Sequence, residues 1–386
     1  MSYIFTSESV TKGHPDKVSD YIADSILDYC LLNDKNSRCA IEVSVTNNLV
    51  FIYGEVSTNA DLNEDILIDL AKKSIKELGY SDPRYGFNAD TNEYLINLNK
   101  QSEDISLGVN LKNNDIGAGD QGIMFGFAKD DTKNLMPLPI ELAHALTKRL
   151  SEVREENIIK GLGPDGKSQV SVLYDDLDNP VKITAIVLSS QHHEDKDLND
   201  LKEELLNKVI KKVIPKNLFN DETKIFINPT GRFVIGGPVG DAGLTGRKLM
   251  VDTYGAYSRH GGGAMSGKDA TKVDRSAAYM ARYLAKQVVA SKIARKCEVE
   301  LAYAIGIKDP VAIYVNTFNT GKVSDELIKE TILKHFDLTP KGIIKKLKLT
   351  KPIFKSTANN GHFGKTDKNH LWESLDKTEV FENLPK

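Results

Sequence analysis

From Cys39 to Asn59 apolar and polar residues alternate, CAIEVSVTNNLVFIYGEVSTN, with an Asn-Asn pair in the middle that reads as the turn of a two-stranded hairpin. The period then changes. In LNEDILIDLAKKSIKELG, residues Ile66, Leu67, Leu70, Ile75 and Leu78 recur at helical spacing. A helix is also predicted ahead of the hairpin, over KVSDYIADSILDYCLL. The same succession returns around SQVSVLYDDLDNPVKITAIVLSSQ, with PIELAHALTKRLSEVR before it and LNDLKEELLNKVIKKVI after it. It returns again around CEVELAYAIGIKDPVAIYVNTFNT, between DRSAAYMARYLAKQVVASKIA and SDELIKETILKHF. Helix–hairpin–helix three times over predicts an α+β fold built by internal triplication, not a doubly wound parallel sheet.

Composition narrows the class without naming a function. The 386 residues exceed one ordinary core and suit two or three domains. With 40% hydrophobic and 27% charged residues, the chain reads as a soluble globular protein. A net charge of −3 gives no electrostatic footprint for nucleic acid. The lysine-rich stretches NKVIKKVIPK and KGIIKKLKLTKPIFK keep apolar residues at regular spacing, as solvated faces of amphipathic elements do. Cys30, Cys39 and Cys297 are odd in number and lack a CxxC, which predicts reduced thiols. The N-terminus has no apolar h-region and the chain no run of 18 apolar residues, so the expectation is a cytoplasmic protein outside membranes.

Charged, glycine-rich segments interrupt the regular units, and no core needs them. GHPDK (Gly13 to Lys17) stands at a helix start: Asp16 reads either as a first-turn acid or as a ligand for a hard cation. GAGDQG (Gly117 to Gly122) lets backbone approach a ligand beside Asp120, or is a plain turn. GPDGKSQV sets Asp165 and Lys167 just before a strand. The densest segment, Ile227 to Gly255, gathers Arg232, Asp241, Arg247 and Lys248 among glycines, a composition suited to cradling polyphosphate. Its end, LMVDTYG, reads as a strand.

HGGGAMSGKDATKVDRSAA (His260 to Ala278) comes within one position of a P-loop: Gly262, four residues, Gly267, Lys268, and then Asp269 where Ser or Thr should bind Mg²⁺. AYSRH separates it from the preceding strand-like run, and the next helix begins only near Asp274. A P-loop needs neither gap, so a Walker motif is excluded. Lys268, Lys272 and Asp274 remain, and Asp274 opens the third-unit helix as Asp16 opens the first. Carboxylates at matching helix starts beside several cations suit a Mg²⁺–polyphosphate site.

In combination and order, GHPDK, GAGDQG, PDGKSQV, NPTGRFVIGGPVGDAGLTGRK and HGGGAMSGKDATKVDRSAA resemble the S-adenosylmethionine synthetase (methionine adenosyltransferase) family over nearly the whole chain. Met265 stands where the family usually has Phe, and Ala270 where Pro is common. The resemblance implies three similar domains with pseudo-threefold symmetry, here 1–105, 114–233 and 234–386. It also implies a homo-oligomer, a dimer of dimers with active sites between chains, binding neither nucleic acid nor membrane. The implied reaction joins ATP and L-methionine into S-adenosylmethionine and hydrolyses the released triphosphate, with two Mg²⁺ per site and K⁺.

Carried over by motif, His14, Lys167, Arg247 and Lys268 would be catalytic. Asp165, Arg232, Phe233, Asp241, Lys248 and Ala264 would join them in holding ATP. Glu55, Gln101, Asp120, Asp241 and Lys272 would contact methionine, with Gln101 opening a loop like the family's mobile one. Asp16 and Asp274 would bind Mg²⁺ and Glu42 K⁺. Two other classes compete: an ATP phosphotransferase or triphosphatase, which would release ADP, and a non-catalytic nucleotide-sensing or nucleic-acid-binding module.

Overall fold

A computed structural model of the chain describes residues 1–100 and 116–385. The first round of elements is β1 (Tyr3–Val10), α1 (Pro15–Asn33), the hairpin β2 (Arg38–Thr46) and β3 (Leu49–Ser57), α2 (Glu64–Leu78) and β4 (Glu93–Asn99). The second is β5 (Gly122–Lys129), α3 (Leu138–Glu155), the hairpin β6 (Leu162–Tyr174) and β7 (Pro180–His192), α4 (Leu198–Leu205) and β8 (Lys224–Ile227). The third is β9 (Gly243–Leu244), α5 (Val273–Ala290), the hairpin β10 (Lys296–Tyr303) and β11 (Ala312–Asn316), and α6 (Asp325–His335). The alternation that marked the hairpins is the burial alternation of the strands: β2 buries Cys39, Ile41, Val43 and Val45 on one face.

The three sheets follow one plan, and each borrows a strand. Every round opens with a strand that pairs antiparallel not with its own hairpin but with that of the next round. β1 joins β6, from Tyr3 opposite Tyr174 to Val10 opposite Lys167. β5 joins β10, from Gly122 opposite Tyr303 to Lys129 opposite Lys296. The short β9 closes the circle on β2, setting Leu244 opposite Ser44. β4 and β8 complete two of the sheets as parallel edges, giving orders β9-β2-β3-β4, β1-β6-β7-β8 and β5-β10-β11. The long helix of each round packs on its own hairpin and the borrowed strand: α1 on β2 and β9, α3 on β6 and β1, α5 on β10 and β5.

One expected element changes type. LMVDTYG forms a helical turn, Leu249–Asp252, not a strand. Local bonds favour the turn: Thr253 Oγ1 donates to the Leu249 carbonyl (2.8 Å), and Asp252 is drawn inward to Lys17 (2.6 Å). The helix predicted from Leu198 runs through one π turn at Leu206–Ile210 before ending at Val213. All three cysteines are free and buried. Among the described residues, no helix is long and apolar enough to cross a membrane.

Candidate active site

The site begins where α1 begins. His14 caps the helix and Pro15 occupies its first position, so Asp16 stands in the first turn. The His14 Nδ1 accepts the Asp16 N–H (3.2 Å), which leaves the ring hydrogen on Nε2. Burial, with the Lys248 ammonium next in effect and Lys167 and Lys17 adding to it, drives this imidazole down to about 3 against the opposing pull of Asp16. His14 is therefore a neutral donor. The Asp16 carboxylate accepts the Leu244 N–H (3.0 Å) and the Lys248 ammonium (2.7 Å), with Arg247 at 3.6 Å. Burial would raise its carboxyl, but the bonds from Lys248 and Leu244 win and hold it below the usual range.

Asp165, at the start of β6, lies within electrostatic reach of Lys167 and Asp241. Its Oδ2 accepts the Gly237 N–H (2.9 Å), while Oδ1 is buried without a partner. Burial lifts this carboxyl to about 6. An orphaned acceptor of this kind is an available seat for a ligand donor.

A second group forms around the start of α5. Asp274 occupies the same first-turn position there as Asp16 does on α1. Its Oδ2 accepts Lys268 Nζ at 2.7 Å. Its Oδ1 lies against Gly263, where a Cβ would stand 2.1 Å away, so any larger residue there would push the carboxylate from its place. Glu42, half-buried on β2, feels Lys268 and Thr245, yet burial dominates and raises its carboxyl. The two groups meet where Gly246 abuts Ala264: a Cβ at 246 would come 2.3 Å from that of Ala264, and φ of +74° favours glycine there. His260 lines the same small cavity as Gly263 and Asp274.

Asp269, the residue that spoils the P-loop pattern, is fully engaged in structure. Its carboxylate accepts the N–H groups of Cys39 (2.8 Å) and Thr271 (2.9 Å), the Thr271 hydroxyl (2.6 Å) and the Lys272 ammonium (2.6 Å). Lys272, expected beside methionine, is thus buried and paired with Asp269. Met265 and Ala270, the two departures from the family pattern, are buried as well.

Other expected residues stand on neighbouring segments. Exposed Arg232 pairs with Glu194 at 2.8 Å, and the Phe233 N–H donates to His192 Nε2. Glu55 lies on β3 opposite Ala40. Asp120 is exposed, next to Gly119, whose N–H donates to the Thr271 carbonyl. Gln101 lies outside the described residues. Among those residues a concavity of about 890 Å³ at the edge of β3 and β4 contains none of the candidates. Among the described residues, no group of three or more His, Cys, Asp or Glu side chains gathers as a ready-made metal cage.

The sequence reading missed Asp20, Asp24 and Arg275. Arg275 is wholly buried and grips Asp24 with two bonds of 2.7 and 2.8 Å. Aspartates at 16, 20, 24 and 28 were a visible signal, since four-residue spacing puts them on one helix face.

Known proteins bear on this geometry in two ways. Residues 2–103 match the N-terminal domain of S-adenosylmethionine synthetase, 115–233 its central domain and 235–374 its C-terminal domain. A protein of Acholeplasma laidlawii (strain PG-8A) described as S-adenosylmethionine synthase is 65% identical over 385 residues, and the match covers the whole of both chains. Three successive domain matches and full-length identity of that order leave one conclusion: this chain belongs to the S-adenosylmethionine synthetase family.

Proposed function

We propose that this chain makes S-adenosylmethionine from ATP and L-methionine. The observation that carries the reading is a pair of charged groups, Arg247 and Lys248 on Asp16 beside a neutral, donating His14, and Lys268 on Asp274, meeting across the Gly246–Ala264 contact. The methionine sulfur attacks C5′ of ATP. The C5′–O bond breaks, its electron pair leaves with the triphosphate, and water then splits that product into diphosphate and phosphate. A thioether attacks without losing a proton, so no activated nucleophile is required. Charge accumulates on the departing oxygens, and cations placed beforehand stabilise it without reorganising. His14 Nε2–H serves as a neutral hydrogen-bond donor near the leaving oxygen. Lys167, Arg247, Lys248 and Lys268 supply positive charge, and the free oxygen of Asp165 receives a donor from the nucleotide.

The residues present fit Mg²⁺. Lone carboxylates suit an ion that takes one or two protein ligands and completes its shell with water and phosphate. Asp274 offers an oxygen toward Gly263; Asp16 would exchange its bond to Lys248 for the ion. Bound there, Mg²⁺ would neutralise phosphate charge. Glu42 is proposed as the K⁺ ligand, and Glu55, Gln101, Asp120, Asp241 and Lys272 as the methionine side. Segments 1–105, 114–233 and 234–386 are proposed as the repeat units. The exposed apolar residues Leu95 on β4, Ile123 on β5 and Tyr314 on β11 support assembly with further copies of the chain. Incubating the purified protein with ATP, methionine, Mg²⁺ and K⁺ and resolving products by mass tests the reading. S-adenosylmethionine, diphosphate and phosphate without ADP are expected; ADP would overturn it.

A further inference from the structure

We propose that the aspartate row on α1 is a positioning device that sets where the phosphate-binding cations stand, with Asp20 as its testable member. The inference rests on the function proposed above. Asp16, Asp20, Asp24 and Asp28 share one face of α1, and each accepts a backbone N–H from a distant segment. Leu244 donates to Asp16 (3.0 Å), Gly246 to Asp20 (2.9 Å) and Gly267 to Asp24 (2.8 Å). Phe354 and Lys355 donate to the two oxygens of Asp28, both at 2.9 Å. Gly246 immediately precedes Arg247 and Lys248, and Gly267 immediately precedes Lys268. Asp16 and Asp24 are eight residues apart, about 12 Å along the helix axis. One rigid helix therefore fixes the spacing of two cationic loops before any substrate arrives.

Burial shows how much is invested in this arrangement. Asp20 and Asp24 are wholly buried, and buried carboxylates are a poor way to gain stability compared with apolar packing. Each is met by a cation: Lys17, shared with Asp252 (2.6 Å), donates to Asp20 (2.8 Å), and Arg275 grips Asp24. What the carboxylates provide in return is a strong, directional hold on two segments whose own pairing to β2 is short, Gly243–Leu244 opposite Ser44–Val45 and a single bridge from Lys268 to Ala40. The loop has no slack to absorb an error, since Gly246 already abuts Ala264. Asp20 acts through Gly246 on Arg247 and Lys248 and is a positioning residue.

Asp20→Ala, Asp20→Asn and Asp20→Glu in the full-length protein separate position from charge. Asn keeps an oxygen for the Gly246 N–H and drops the charge, while Lys17 retains Asp252. Glu keeps the charge and displaces the oxygen. In Asp20→Ala, kcat should fall about 10- to 100-fold, the cost of a small misplacement of reacting partners. KM for methionine should change by less than about twofold, because ground-state binding is spared. Amide exchange in the peptide spanning 243–249 should accelerate. Asp20→Asn should return to within about threefold of wild type, and Asp20→Glu should be impaired like Ala. Asp20→Ala with wild-type kcat per folded molecule overturns the inference. So does an equal loss in Asn and Ala, or a fully active Glu variant. If Ala does not fold, Asn and Glu still decide. If the wild type makes no S-adenosylmethionine, the functional reading fails, and the exchange measurement still tests the row.

Discussion

Asp269→Ser restores every position of the P-loop pattern, which makes it a sharp test of what the loop is. A working P-loop would tolerate or use the new hydroxyl at the metal. The structure predicts damage instead. The carboxylate serves four donors, from Cys39, Thr271 twice and Lys272, with distances from 2.6 to 2.9 Å. A serine has one short-armed oxygen and cannot reach them all. The Lys272 side chain, 11% exposed, would lose its counter-charge. Breaking a buried pair from one side costs about 3–5 kcal/mol. For a long chain that is a fall of about 6–10 °C in Tm, at roughly 2 °C per kcal/mol. The pH dependence has a definite sign. Burial opposes ionisation of Asp269, but Lys272 and Arg38 overcome it and hold the carboxyl below its ordinary 3.8. A depressed acid stabilises the fold above its unfolded value and loses that contribution as pH falls below it. The gap between wild type and Asp269→Ser should therefore be full at pH 7 and narrow below pH 4. Thermal unfolding at matched scan rates, with Mg²⁺–ATP affinity measured alongside, decides the matter. A variant within about 1 kcal/mol of wild type, or one that gains affinity, would refute the structural role.

Lys268→Ala should slow single-turnover formation of S-adenosylmethionine by about two to three orders of magnitude while leaving methionine affinity nearly intact; an unchanged chemical step would make the glycine loop a mere turn. Asp16→Asn and Asp274→Asn should each raise the Mg²⁺ concentration needed for half-maximal activity, and normal activity at limiting Mg²⁺ in both would remove them from the metal site. The ligand-free protein should show a neutral His14 by NMR at pH 6, protonated on Nε2. Its folded value of about 3 lies below the ordinary 6.5, so its contribution to stability is present above 6.5 and is lost as pH falls toward 3; an imidazolium at pH 6 would falsify this.

Periodicity made the three hairpins and their flanking helices legible because burial alternation and sequence alternation are the same fact. The exchange of leading strands was not legible. Nothing local to YIFTSESV tells it to pair with residues 167–174, and β9 is two residues inside a glycine-rich loop. LMVDTYG misled because a short apolar run has no period of its own, and the hydroxyl and carboxylate beside it settled the outcome. The gathering of His14, Asp16, Arg247 and Lys248 could be anticipated from residue chemistry. The four-residue spacing of Asp20 and Asp24 was visible, but their burial and that of Asp269 could not be anticipated, because carboxylates on a helix or in a loop are ordinarily read as solvated. Of their partners, Arg275 is remote in sequence, whereas Lys17 and Lys272 stand three residues from their aspartates and by themselves read as ordinary surface pairs.

The borrowed strands also set a timetable for the chain as it is made. The hairpin β2–β3 leaves the ribosome early, but the strand that covers the free side of β2 ends at Leu244, 198 residues after Thr46. At about 5–20 residues per second, that edge waits roughly 10–40 s for its partner. β1 waits for β6 in the same way, and β5 for β10. No round can finish its own sheet from its own residues, so a ribosome stalled anywhere before β10 holds at least one open edge. A nascent chain of this kind should depend on chaperone cover until its third round emerges, and a fragment ending after either of the first two rounds should be prone to aggregate.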